Sequence, residues 1–231
     1  LAQTDDALLR QILQGQIALA VVTPDGQVVD ATGIQIPGVL DDLFPYQEEL
    51  GPIYAADGQL HLKLWAPTAQ SVKLIRYADS QSTTAIATEE MQRDPLTGVW
   101  TIIGDMSWDR QYYLYEVSVF VPATQNIEVN RVTDPYSLSL AANSTRSQFV
   151  NLNTADLKPT DWDQISKPAF TSPEDIVLYE LHVRDFSILD ESIPAQDRGT
   201  FNAFTYSDSL GMQHLQSLTE AGVSHLHLLP V

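Results

Sequence analysis

The chain has no cysteine in its 231 residues. Disulfides, thiolate metal sites and a cysteine nucleophile are therefore excluded, and the compartment is left open. Basic residues are scarce as well. Lys and Arg number 12 against 30 Asp and Glu, for a formal net charge of −18. Phosphate-directed nucleic-acid binding needs clustered Lys and Arg, so no nucleic-acid partner is expected. Docking on an anionic membrane surface is disfavoured for the same reason. Neutral partners remain, and sugars are the obvious neutral class. No stretch reaches the roughly 18 apolar residues of a membrane span. The longest early apolar run, residues 17–22, has no basic segment before it and so does not read as a signal peptide. There is no initiator Met, which places Leu1 after a processing site or a chosen boundary. Against these absences stands an ordinary globular composition, 44% hydrophobic and 18% charged. That is enough apolar material for a core, in one large domain or two of ordinary size.

Residues 1–50 form an acidic leading region of mixed α/β character, with eight acidic residues and Arg10 as the one basic residue. Asp5 or Asp6 can cap a helix that carries Leu8, Leu9, Ile12 and Leu13 on one face and stops before Gly15. Runs at 17–22 and 27–31 flank Thr23-Pro24-Asp25-Gly26, which predicts a hairpin. The acidic residues here read as a solvated face.

Residues 51–155 read as an all-β, immunoglobulin-like sandwich. Asp57-Gly58 turns into the run 60–65, whose strict alternation points Leu60, Leu62 and Leu64 inward until Ala66-Pro67 stops it. Further strands are predicted at 72–77, at 99–103 after the turn 94–98, and at 112–121. In the last of these, Tyr113, Tyr115, Val117, Val119 and Val121 share a face. Short strands separated by Pro and Gly turns suggest a small sandwich. A Pro-containing linker, 156–175, follows, with Pro159 and Pro168. Residues 176–183 are a nearly continuous apolar run, as in strands covered on both faces. A long loop, 184–207, precedes a helix at about 208–221, with Met212, Leu215 and Leu218 in one stripe and Gly222 as its stop. A second buried strand, 223–231, completes a parallel βαβ unit. Two strands and one helix cannot cover both faces of a sheet, so the chain is expected to be the front part of a longer protein.

Three stretches together resemble the type I pullulanases and limit dextrinases of the alpha-amylase superfamily. They are Leu62-Lys63-Leu64-Trp65-Ala66-Pro67-Thr68-Ala69, Val132-Thr133-Asp134-Pro135-Tyr136-Ser137, and the run from Tyr179-Glu180-Leu181-His182-Val183-Arg184-Asp185-Phe186-Ser187 through Arg198-Gly199-Thr200-Phe201 to Gly222–Val231. The first two are similar to the opening and closing segments of the carbohydrate-binding module that precedes the barrel in starch-debranching enzymes. The third is similar to the first two strands of a catalytic TIM (β/α)8 barrel. The resemblance implies hydrolysis of α-1,6 branch points in pullulan, amylopectin or limit dextrins by the complete protein. It implies as partners an α-glucan and the remainder of the barrel, and a surface-exposed bacterial setting ahead of a plastid one. It also implies that the catalytic carboxylates lie on later strands. No catalytic residue is therefore assigned. Asp185 and Asp190 sit at the correct end of the first strand but lack an opposed partner, and glycoside cleavage needs two carboxyls about 5–10 Å apart. The alternative is a non-catalytic glucan-binding or scaffold protein.

No cofactor is expected in this stretch, although a structural calcium is compatible with the complete enzyme. His225 and His227 share a strand face, as some zinc sites require, but interior packing with hydrogen-bonded imidazoles is the preferred reading and no metal is assigned. Glu180, His182 and Arg184 are expected on one strand face, as a polar interior layer. Trp100 and Trp108 are expected to contact sugar, because each lies near a turn at a strand end. Trp65 is placed in the core. Glycogen-binding relatives use a Lys and a Trp where this sequence has Glu116 and Arg131, a departure that weakens the sugar-binding reading at those two positions.

Overall fold

The computed structural model describes residues 6–167, 169 and 172–229. Asp5, Pro168 and the terminal Pro230-Val231 read above lie outside the described residues. The chain divides into two compact units, one running to Thr160 and the other starting at Asp161.

The first unit opens with helix α1 (Asp6–Ile12), strands β1 (Ala18–Val22) and β2 (Val28–Gly33), and helix α2 (Pro37–Leu43). β1 and β2 pair antiparallel, as the Pro-Asp-Gly turn predicts. Gly26 closes that turn at φ 86°, a left-handed conformation that costs glycine little. Pro37 starts α2 at a position where a missing N–H costs nothing. The leading region is tied to the strands that follow. The Gln14 side-chain amide donates to the Ala69 carbonyl at 2.7 Å, while within the region Arg10 Nη2 links α1 to α2 by donating to the Leu43 carbonyl at 3.1 Å.

Nine strands then build the sandwich: β3 (Gly51–Tyr54), β4 (Gln59–Trp65), β5 (Ala69–Tyr77), β6 (Ala87–Glu90), β7 (Gln92–Arg93), β8 (Val99–Asp105), β9 (Tyr112–Val121), β10 (Asn126–Val132) and β11 (Ser147–Gln148). One sheet runs β10-β9-β5-β6, with β11 also pairing β9; the other runs β3-β4-β8-β7. All these pairings are antiparallel. Leu60, Leu62 and Leu64 of one sheet meet Val72, Leu74, Tyr113 and Tyr115 of the other in a single buried cluster. The two tyrosines bring hydroxyls into that core, and burial without partners would cost free energy. Asp134 answers them: its Oδ2 accepts from Tyr113 at 2.6 Å and from Tyr115 at 3.1 Å, while its Oδ1 accepts the Tyr136 N–H at 2.8 Å. The Asp134 N–H donates to Ser147 Oγ at 2.8 Å. The Asp-Pro-Tyr-Ser segment thus ties the sandwich shut from inside.

The second unit contains β12 (Leu178–Leu181), α3 (Val183–Ser187), α4 (Leu210–Glu220) and β13 (His225–Leu228). β12 and β13 pair in parallel, as a βαβ unit requires. Three expectations need correction here. The strand expected over 176–183 spans four residues, because His182 turns the chain: its Nδ1 accepts the Arg184 N–H at 3.2 Å and caps α3. Arg184 therefore stands on a helix and not on a strand face with Glu180. The segment 184–207 is likewise not all loop, since it also holds a 3₁₀ turn at Phe201–Thr205. The third correction concerns burial. Leu178, Leu226 and Leu228 are exposed, because a pair of strands with one crossover helix leaves sheet surface uncovered. α4 runs as predicted, capped by Ser209, whose side chain accepts the Met212 N–H, and followed by Gly222 at φ 107°. No helix among the described residues is long and apolar enough to cross a membrane.

Candidate functional site

Trp100 and Trp108, the expected sugar contacts, lie in the core of the sandwich at 6% and 5% exposure. This corrects the openness expected of them near turns. Trp100 pairs across β4 with Leu64 and so shares the leucines' inward face, and its Nε1 donates to the Ala66 carbonyl at 3.0 Å. Trp108 ends a 3₁₀ turn that folds its indole back over Gly104. The Arg76 guanidinium lies 4.4 Å from the Trp108 ring centroid, and Phe149 lies 5.6 Å away. Neither indole presents a free face for a pyranose.

Glu116 and Arg131 stand opposite one another on β9 and β10 and form an ion pair of 2.9 Å. They satisfy each other, which leaves no free cation or ring where the glycogen-binding pattern places them. Among the aspartates, Asp185 is exposed and pairs with Arg184 at 3.1 Å. Asp190 is buried and accepts from the Ser192 N–H at 2.9 Å, the Ser192 hydroxyl and the Gly211 N–H at 3.0 Å. The Ser192 hydroxyl hydrogen bond is the main cause holding its carboxyl below the ordinary range. Asp190 therefore fastens the loop to the start of α4. His227 Nδ1 lies 2.9 Å from Glu180 Oε2 on the neighbouring strand, and His225 Nδ1 lies 2.9 Å from Ser224 Oγ. No group of three or more His, Asp or Glu side chains gathers around a metal-sized space among the described residues.

The open aromatic surface lies elsewhere. Trp65, expected in the core, is half-buried on the outer face of β4, and its Nε1 donates to the Phe44 carbonyl at 3.0 Å. It lines a hollow of about 370 Å³ together with Tyr46, Tyr136, Leu50, Asp41 and Gln47. A second recess of about 500 Å³ shares Pro45, Tyr46 and Gln47 and continues to Lys63, Asp94 and Thr101. Tyr46 is held between the two. Its hydroxyl accepts from Lys63 Nζ at 2.8 Å and donates to Glu48 Oε2 at 3.2 Å. The Tyr46 hydrogen bond, more than Glu48, raises the Lys63 pKa against a partial desolvation that lowers it. Tyr136 is seated by Asp134 and by Gly51, which sits at φ 80°; a Cβ there would meet the Tyr136 Cβ at 2.9 Å. The signal for this hollow was present in the strand parity: with Leu60, Leu62 and Leu64 inward, Trp65 must point outward.

Comparison with known proteins agrees with this architecture. Residues 1–42 match the pullulanase N2 domain, and residues 49–137 match carbohydrate-binding module 48, the isoamylase N-terminal domain. The chain is 42% identical over 230 residues to the chloroplastic pullulanase 1 of Arabidopsis thaliana, covering 97% of this chain and 23% of that protein. It is 38% identical over 233 residues to a pullulanase of Klebsiella pneumoniae, covering 98% of this chain and 21% of the relative. The chain thus spans less than a quarter of these curated relatives. Its fold superposes on the crystal structure of the maltotriose complex of PulA from Klebsiella pneumoniae with a TM-score of 0.91 at 35% identity, over 99% of this chain and 25% of that one. A pullulanase from Paenibacillus barengoltzii, solved with maltohexaose and α-cyclodextrin, superposes at 0.72 and 30% identity, over 86% of this chain and 30% of that one. With an N2 segment, a family 48 module and pullulanase likeness along nearly its whole length, the chain resembles the N-terminal portion of the type I pullulanases.

Proposed function

We propose that the chain serves a debranching glycoside hydrolase that cleaves α-1,6-glucosidic bonds in pullulan, amylopectin or limit dextrins. The observation that carries this reading is the superposition over 99% of the chain on a pullulanase crystallised with maltotriose. On this reading, residues 1–50 lead in, 51–155 form the carbohydrate-binding module, 156–175 connect, and 176–231 open a (β/α)8 barrel. β12, α4 and β13 have the parallel order such a barrel repeats. The polar face of that pair, with Glu180, His225 and His227, would become part of the barrel interior. Later strands would supply the two carboxyls, which a retaining displacement needs about 5–5.5 Å apart. With that pair on later strands, this chain's own contribution is to position and contact the glucan. Contact through Trp100 or Trp108 would require those rings to leave the core.

The test compares two proteins. One joins this chain to the barrel of a pullulanase relative, and the other is the 231-residue chain alone. The first should release reducing ends from pullulan and the second none. Turnover that follows the isolated chain through purification, or an inert joined protein with a folded barrel, would overturn the proposal.

A further inference from the structure

We propose that the hollow between Trp65, Tyr46 and Tyr136 is an α-glucan subsite on the module, and that the adjoining recess across Tyr46 extends it to at least two sugar units. This rests on the glucan-directed reading above and names the surface that carries it.

Sugar recognition in water needs an apolar face for the pyranose C–H groups and a few polar groups for its hydroxyls. Both are present here, and each is left unused by the fold. Trp65 has its only polar atom committed to the Phe44 carbonyl, so what it has left to offer is ring face. Tyr46 is fixed through its hydroxyl by Lys63 and Glu48, and Lys63 Nζ also lies 5.5 Å from its ring centroid. Its orientation is therefore set before any ligand arrives, which lowers the ordering cost of binding. Tyr136 is held through its backbone by Asp134. At the rim, Asp41 and Gln47 are exposed, and their side chains make no hydrogen bond or ion pair among the described residues. A carboxylate and an amide beside aromatic rings can accept from and donate to vicinal hydroxyls.

The volumes of about 370 and 500 Å³ each fall within the usual range for small-ligand sites. Because the two recesses share Tyr46, a single glucose can fill only one of them. Maltotriose should therefore bind more tightly than glucose. Both recesses are shallow, so dissociation is expected in the millimolar range. The long-range charge of −18 contributes nothing toward a neutral ligand.

The experiment titrates maltotriose and, separately, glucose into the isotope-labelled 231-residue chain and follows the Trp65 indole N–H and the backbone amides of Tyr46 and Gln47 by NMR. Saturable shifts confined to these positions are expected, with glucose weaker by at least roughly threefold. Tyr46→Ser should weaken maltotriose roughly five- to tenfold through the lost ring. Gln47→Ala and Asp41→Asn, both at exposed positions that leave the fold intact, should each weaken it about two- to threefold. No saturable shift at these positions, equal binding of glucose and maltotriose, or binding unchanged in Gln47→Ala and Asp41→Asn would each overturn the subsite. Its failure leaves pullulan cleavage by the joined protein untouched, because this measurement involves no turnover.

Discussion

Apolar strands in this molecule meet two different fates. In the sandwich, Leu60 and Leu62 of β4 are fully buried, because the facing sheet supplies Val72, Leu74, Tyr113 and Tyr115. In the leading hairpin, Leu19 and Val29 are each 65% exposed, although β1 and β2 are at least as apolar. The β12–β13 pair behaves like the hairpin on part of its surface, with Leu178 open. Hydrophobic alternation selects a face, and only a second layer buries it. The sandwich contains both layers within residues 51–150. The other two strand pairs do not.

The sharpest way to break this contrast is to remove the polar tie inside the sandwich. Asp134→Ala would strand two buried tyrosine hydroxyls and the Tyr136 N–H. A loss of about 3–5 kcal/mol is expected by urea denaturation followed through near-ultraviolet circular dichroism. A smaller effect should come from packing. Gly104→Ala would set a Cβ 2.2–2.4 Å from three atoms of the Trp108 indole, and the indole is locked by Phe149 and Arg76. About 2–3 kcal/mol is expected. Leu226→Ser in the open strand β13 should cost under about 1 kcal/mol in the same assay. Equal losses for Gly104→Ala and Leu226→Ser would erase the distinction between closed and open strands.

Proton linkage separates the two units further. Burial raises the Asp134 pKa in the folded state, with hydrogen bonds from Tyr113, Tyr136 and Tyr115 opposing it. A raised native pKa favours folding fully below the ordinary carboxylate value, and this advantage is lost as pH climbs through the native value. Asp134→Asn should therefore gain on the natural chain as pH rises from about 4. Asp190 is shifted downward, chiefly by the Ser192 hydroxyl. Its contribution is present above the ordinary carboxylate value and lost as pH falls through the lowered one. Asp190→Asn should therefore lose on the natural chain as pH rises through the acid range. Unfolding midpoints of both variants across pH 3–6, the range around the ordinary carboxylate value, would check the opposite signs.

The smallest effect is expected on the sandwich exterior. Arg131 is largely exposed and pairs with Glu116 across β9 and β10. Arg131→Ala should cost about 0.5 kcal/mol, and less at high salt.

Much of the sandwich was legible in the sequence because its strands alternate with a period of two and its turns carry Gly and Pro. The runs 60–65 and 112–121 coincide with β4 and β9. The aromatic assignments were less legible. Trp100 and Trp108 looked open because they lie near turns, but burial depends on the partner across the strand and on what folds over it. Trp100 faces inward beside Leu64, and Trp108 is received by Gly104, whose lack of a side chain was the available clue. In the second unit, the apolar run 176–183 concealed the helix start at Val183, because His182 acts as the cap where Ser, Thr, Asp or Asn would be the familiar signal. Strand parity turns Trp65 outward, but the hollow also draws on Tyr46 and Tyr136, which lie too far from each other in sequence for a local pattern to join.

Native-state hydrogen exchange on the 231-residue chain, resolved by residue, tests the contrast between closed and open strands most directly. Amides of β4, β5, β8 and β9 should exchange together and slowest, at the free energy of global unfolding. Amides of β12 and β13 should exchange through a separate opening, at least roughly a hundredfold faster. Equal protection of β13 and β4 in the monomer would contradict the account, since the open strand pair would then be as firmly held as the closed sandwich.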